Sequence, residues 1–373
     1  MNKYWKTILS LFVITVLLNL LAFWKEFCNF YTDYIYVHIA NGYGWLMDQV
    51  PFAVGEILMY VGMVLLLISI ILGIAFIFLG KKPKVRSFVK RYMKCMLAIV
   101  VGMLFFYTVL WFIPFRGDSL DVNPDLDCDY TVKELIQARA YVVNQVNDIA
   151  KRIERDEEGH ILYSDDLAEQ CKESLAMIAK DYPRLRGYYP NMKEAFCSDF
   201  LNWMYIGGYT YPYTMEITYD RYTTRMYYPT LYTHEMAHHK GYYKECDANF
   251  ISFLVCSSSD DLCLQYSAYL EMYYYLDDAY FQYVCERDSE AVWDEWKKQP
   301  DLSEQVEWDI FDMENEYEEA YEEGVNLILE DKVSTYAEEV SEVGWETQAE
   351  ILDELNYDGV VRLLLEYYDG VLY

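Results

Sequence analysis

The chain is 373 residues long, 54% hydrophobic, with a formal net charge of −30 at pH 7. That length accommodates a membrane anchor and one good-sized domain. Residues 1–114 hold ten Lys/Arg against four Asp/Glu (+6), and residues 115–373 hold twenty against fifty-six (−36). So acidic a C-terminal part lacks the basic footprint of a nucleic-acid binder and is suited to staying soluble beside an anionic membrane or meeting cationic partners.

Residues 5–24 form an apolar run about one bilayer span long. A cleaved signal peptide is the competing reading, disfavoured because no small-x-small site follows the run. Residues 53–79, with Glu56 near one end, form a second span, and residues 93–114, closed by Pro114, a third. Lys81, Lys82, Lys84, Arg86, Lys90, Arg91 and Lys94 crowd the loop between spans two and three, and Lys3 and Lys6 mark the N-terminus. The positive-inside rule puts both in the cytoplasm. Three spans then place the rest of the chain outside, as a multi-pass plasma-membrane protein with the lipid bilayer as one partner.

Residues 115–130 read as a linker, rich in Pro, Gly, Asn and Asp, before a domain over 131–373. Thr131 is placed to cap a helix running to about Asp156, and a second helix fits Ser164–Lys180. Tyr213–Tyr219 has the alternation of a strand. Helices follow over 245–255, 262–284, 289–298, 302–331, 347–356 and 360–369. Seven of the nine cysteines, Cys128 among them, lie in this part, with no C-x-x-C pair to suggest a separate zinc ribbon. No repeat of fixed period occurs.

The chemistry concentrates in residues 232–250. His234, Glu235 and His238 form H-E-x-x-H, and three of only five histidines lie in this stretch. Four residues apart on a helix, His234 and His238 share a face and can reach one metal ion, with Glu235 beside them as general base toward water. Gly241 offers a left-handed turn that stops the helix. Glu245 then opens a second helix and is the expected third ligand, leaving a fourth position for water, as in a catalytic zinc site. The competing reading of Glu245 is a helix-start glutamate favoured by the macrodipole. Lys244 stands where an H-x-x-G-x-x-H site would have its third histidine, which excludes that subclass. Asn249, one turn after Glu245, is placed to fix a histidine tautomer, with Asp247 as its rival. His239 points away from the shared face and reads as structural or solvent-facing. Tyr266 is a candidate for stabilising an oxyanion. Glu216 reads, from its strand alone, as an exposed glutamate.

The pattern T-H-E-M-A-H-x-x-G-x-x-x-E-x-D-A-N-F after three spans resembles a bacterial membrane family labelled domain of unknown function 3810. The likeness extends upstream through Gly208-x-x-Tyr-Pro-Tyr-Thr-Met-Glu216, and downstream through Tyr266-Ser-Ala-Tyr-Leu270 and the helix start at Asp358-Gly359-Val360. Tyr213 and Asp247 depart mildly, standing for Phe and Glu. The resemblance implies a gluzincin-like arrangement, with His234, His238 and Glu245 as ligands and Glu235 as base, and it makes Glu216 a candidate functional residue lining a cleft.

Together these readings predict an α+β, mostly helical chain: three N-terminal transmembrane helices, then a zincin-like, gluzincin-type extracytoplasmic domain with a small sheet before the active-site helix. The expected function is a zinc-dependent hydrolase with one Zn2+ ion, a peptidase acting on a peptide or cell-envelope substrate through a metal-activated water. The alternative is a non-catalytic, zinc-stabilised binding or receptor module.

Overall fold

The structure, a computed structural model, describes residues 2–120, 130–324 and 357–373. Cys128, the middle of the expected linker, the end of the helix expected over 302–331 and the helix expected over 347–356 lie outside the described residues. The described chain is mostly helical. Three short strands, β1 (Lys193–Glu194), β2 (Gly208–Thr210) and β3 (Ile217–Tyr219), form a sheet in the order β1-β3-β2. The chain divides into two compact units. One comprises Met1–Asp118, Tyr188–Phe196 and Thr210–Thr218, the other Ser119–Gly187, Cys197–Tyr209 and Tyr219–Tyr373.

The first unit holds three helices long and apolar enough to cross a membrane: Lys3–Leu21, Val54–Leu79 and Pro83–Phe115. The first is α1, capped by the Asn2 side chain, which accepts from the Trp5 N–H. Helices α2 (Lys25–Tyr31) and α3 (Val37–Met47) follow, joined by a π-helical turn. Helix α4 (Val54–Leu79) rises about 39 Å at 1.5 Å per residue, enough for a hydrocarbon core of about 30 Å with some tilt. Helix α5 (Pro83–Tyr107) starts at a proline, whose missing N–H is no loss in a first turn, and continues through a π-helical turn into α6 (Ile113–Phe115). Helix α1 packs on α5 and is tied to it and its continuation by the Tyr4 hydroxyl on the Lys94 carbonyl (2.6 Å) and the Asn19 amide on Thr108 Oγ1 (2.8 Å). Such bonds between helices carry weight where lipid supplies no hydrophobic drive to association.

Glu216 belongs to this unit and is buried, not exposed. Its carboxylate accepts from the Val54 and Gly55 N–H groups at 3.0 and 2.7 Å, capping the start of α4. Lys193 Nζ donates to it at 2.6 Å and also to the carbonyls of Met47 (2.9 Å) and Phe52 (3.1 Å). Glu56, fully buried, accepts from the Phe196 N–H (2.7 Å) and the Tyr60 hydroxyl (2.8 Å). Gly55 is required here, because a Cβ at that position would run into the Tyr211 ring. The strand expected over 213–219 is confined to Ile217–Tyr219. Residues 211–215 turn instead, with the Met215 N–H on the Tyr211 carbonyl (2.8 Å) and Met215 at φ +59°.

The second unit is helical around one buried core. Helix α7 (Val132–Ala150) opens with a reciprocal cap between Thr131 and Glu134 and buries Leu135, Ala138, Val142, Val143, Val146 and Ile149. Helix α8 (Leu167–Ile178) and the short α9 (Ser198–Trp203) precede α10 (Tyr228–His239) and α11 (Glu245–Ser257). Then come α12 (Leu262–Arg287), α13 (Glu290–Trp296), α14 (Glu304–Gly324) and α15 (Tyr357–Tyr368). Helix α11 sits at the centre, packed against α8, α10, α12 and α15, and buries every residue from Phe250 to Cys256. A helix apolar all round belongs in such a core.

Replacing Glu216 by Ala leaves the Lys193 ammonium buried without its counter-charge and the start of α4 without its cap. Breaking a buried pair in this way costs about 3–5 kcal/mol. Glu216→Ala therefore lowers the melting temperature of the detergent-solubilised full chain, and an unchanged melting temperature would contradict this structural role.

Candidate metal centre

Helix α10 starts with Pro229 in its first turn. The Thr233 hydroxyl lies 2.8 Å from the Pro229 carbonyl and 2.9 Å from the Ser252 hydroxyl, which itself donates to the Thr230 carbonyl at 2.9 Å. Small polar residues thus let α10 and α11 approach closely with their hydroxyls satisfied. Helix α10 ends where Gly241 turns at φ +94°. There the Gly241 N–H bonds the His238 carbonyl and the Tyr242 N–H bonds the Ala237 carbonyl. Four residues after Gly241, α11 begins at Glu245.

This reversal brings the side chains together. His234 Nε2 lies 3.2 Å from one Glu245 carboxylate oxygen and His238 Nε2 lies 3.4 Å from the other. One ligand atom from each of the three residues falls within 4.8 Å of the others, an arrangement that can hold a metal ion. Tetrahedral ligands about 2.0–2.1 Å from an ion stand about 3.3 Å apart, so the donor spacing fits. The two imidazoles meet edge to face, centroids 4.6 Å apart, and Tyr243 stacks on His238.

Both histidines are oriented from behind. His238 Nδ1 is 2.8 Å from the Tyr242 carbonyl. A carbonyl only accepts, so Nδ1 carries a proton and Nε2 is the nitrogen that faces Glu245. His234 Nδ1 is 2.6 Å from Asn249 Oδ1, with the same consequence, and Asn249 Nδ2 donates to the Tyr275 hydroxyl at 2.9 Å. Burial pulls the His234 imidazolium down, but the hydrogen bond and charge of Glu245, with Glu235 and Glu271 behind it, outweigh this and leave its pKa raised to about 9. Burial raises the Glu245 carboxyl, and the two histidines more than reverse that, holding it well below the usual carboxylate range.

The remaining predicted residues fall in varied places. Glu235 is buried on α10, near enough for its charge to act on His234. Asp247 is buried and accepts from the Leu120 N–H at 3.0 Å, so it anchors the incoming chain; burial raises its pKa to about 6. Tyr266 is buried with its hydroxyl on Asp309 (2.8 Å), which also takes two bonds from Arg155, so its phenol is committed to that pair. Glu216 belongs to the membrane-helix unit, with the partners given above. His239 is fully buried.

Two residues escaped the sequence reading. Glu271 on α12 bears on His234 through its charge and makes a hydrogen bond with Thr230, and burial raises its carboxyl against both. Tyr275, one turn further along α12, holds Asn249. Glu271 left a trace in the sequence, being the only charged residue between Leu262 and Leu276. Tyr275 is one tyrosine in a run of three and left none.

These features define a helical protein with membrane-length helices and a two-histidine, one-glutamate cluster. The chain belongs to the family described as protein of unknown function (DUF3810), whose profile matches residues 31–339. No curated protein and no solved structure matches it.

In the metal-free protein, His234 is raised from an ordinary value of 6.5 to about 9. Its contribution to stability is complete below about pH 6.5 and is lost as the pH rises through about 9. Glu245, depressed from 4.5, contributes above that value and loses its contribution on acidification. The stability gap between the metal-free protein and its Glu245→Gln variant is therefore widest near about pH 6 and narrows by about pH 10. Unfolding curves at both values test this, and a gap that widened at the higher pH would contradict it.

Proposed function

We propose that the chain is a membrane-anchored, zinc-dependent hydrolase, a gluzincin-type peptidase that cleaves amide bonds outside the cytoplasmic membrane. The observation that carries this reading is the convergence of His234 Nε2, His238 Nε2 and the Glu245 carboxylate at the spacing of tetrahedral ligands. Two imidazoles and one carboxylate suit zinc, and one carboxylate leaves the centre with net positive charge. A zinc ion bound there supplies a Lewis acid for a carbonyl oxygen and lowers the pKa of water to about 7.

The chain's own residues supply the rest. His234 and His238 present Nε2 because their Nδ1 protons are engaged by Asn249 and the Tyr242 carbonyl. Glu235, one residue from His234 and shielded from solvent, is the base that takes a proton from the attacking water and returns it to the leaving amine. The lysines and arginines over 81–94 support a cytoplasmic loop there, and hence an extracytoplasmic site.

Elemental analysis of the purified full chain tests the reading. It predicts about one zinc per chain, lost in His234→Ala and in Glu245→Ala. Glu235→Gln keeps the metal and loses hydrolysis of a peptide library. A chain that takes up no zinc, or a Glu235→Gln variant of undiminished activity, would overturn it.

A further inference from the structure

We propose that the start of α5, together with the start of α1, is a binding surface for the headgroups of anionic phospholipids. The membrane-length helices carry their charge unevenly. Of the ten Lys/Arg in residues 1–114, nine lie at one end: Lys3 and Lys6 open α1, and seven fall between Lys81 and Lys94 at the start of α5. All four Asp/Glu of these residues (Glu26, Asp33, Asp48 and Glu56) lie at the other end, between α2 and the first turn of α4. The two basic starts meet. The Tyr4 hydroxyl donates to the Lys94 carbonyl at 2.6 Å, and the Lys94 ammonium lies 5.7 and 5.9 Å from the ring centroids of Tyr4 and Trp5. Aromatic rings beside cations are the usual furniture of a membrane–water boundary. All nine cations are exposed, and among the described residues none of them makes an ion pair, although the chain carries 60 Asp/Glu. Cations elsewhere do find carboxylates: Lys25 has Asp118, Arg139 has Asp277 and Lys193 has Glu216.

The helix also sorts these charges. At about 100° per residue, Lys84, Arg86, Lys90, Arg91 and Lys94 fall on one half of α5, with Arg86, Lys90 and Lys94 in a row one turn apart. Val85, Phe88, Val89 and Tyr92 fall on the other half. There Val89 is buried, and the Tyr92 hydroxyl, 2.8 Å from the Leu65 carbonyl, holds α5 on α4. Helix α5 and its continuation run 33 residues, Pro83–Phe115. That is about 50 Å at 1.5 Å per residue, against a hydrocarbon core of about 30 Å. Charge keeps the first three turns out of the hydrocarbon, so they stand at its edge, at the level of the lipid phosphates. Setting the orientation of the spans requires only that positive charge be present in the loop. It requires neither one charged face nor freedom from acidic partners, and a surface for phosphate esters has use for both. Clusters of four to eight Lys/Arg beside a span draw anionic lipid, with each cation worth about fivefold in association.

Full-length protein in phosphatidylcholine nanodiscs tests this, with trace spin-labelled phosphatidylglycerol or spin-labelled phosphatidylcholine as the probe. The fraction of each probe that the protein immobilises, read by electron paramagnetic resonance, gives the preference. Both faces of a nanodisc are open to the same solution, so orientation does not enter, and neither does the metal centre. The wild type is expected to favour the anionic probe about fivefold. At about 1 M salt, where the screening length is about 3 Å, the preference disappears. Arg86→Gln/Lys90→Gln/Arg91→Gln lowers it below about twofold, while leaving Lys81, Lys82 and Lys84 to direct insertion. Arg152→Gln/Lys297→Gln/Lys298→Gln removes the same charge from the second unit and keeps the wild-type preference. Circular dichroism checks that each variant is folded, and if the first triple variant is not, the salt dependence of the wild type decides. Equal immobilisation of the two probes by the wild type overturns the proposal. So does a preference that survives high salt, one that the first triple variant retains, or one that the second triple variant loses.

Discussion

The close packing of α10 on α11 is the constraint on which the site depends. Thr233 and Ser252 meet hydroxyl to hydroxyl at 2.9 Å, with Ala237 and Ala248 fully buried on the same two helices. Gly241 reverses the chain between them at a φ that L-residues avoid. A helix pair held this near, with so short a return, has little freedom in where Glu245 arrives. It arrives within 3.2–3.4 Å of two imidazole nitrogens. The preorganisation costs nothing further at the site, because α11 is already clamped by α8, α12 and α15.

The electrostatics follow from that geometry. Three acidic groups, Glu235, Glu245 and Glu271, bear on His234 and raise its affinity for a proton. The field that holds a proton there without metal is the field that favours a cation when one is present. Polar groups behind the two histidines keep this arrangement specific: each histidine has its Nδ1 engaged, and the amide between α10 and α12 is engaged at both ends.

The helices, three of them long and apolar enough to cross a membrane, were legible in the sequence because periodicity and apolar length are local signals. The spans expected at 5–24, 53–79 and 93–114 correspond to the long helices at Lys3–Leu21, Val54–Leu79 and Pro83–Phe115, and the helix expected at Thr131 starts there with its capping partner. The approach of His234, His238 and Glu245 was legible too, since a helix, a glycine stop and a second helix fix it within twelve residues. What was not legible depends on contacts between distant segments. Glu216 reads as an exposed strand glutamate from its neighbours, yet a lysine twenty-three residues upstream and the start of α4 bury it. Tyr266 has the right chemistry for an oxyanion, but Asp309 claims its hydroxyl from forty-three residues away. Tyr275 becomes meaningful only once α12 is packed against Asn249.

The proposed function requires that these side chains hold one metal ion. Anomalous diffraction collected at the zinc absorption edge, from crystals of the full chain grown with zinc, tests it most directly. One strong peak is expected about 2 Å from His234 Nε2, His238 Nε2 and the Glu245 carboxylate. A peak elsewhere, or none at these residues with zinc present in the crystal, would contradict it.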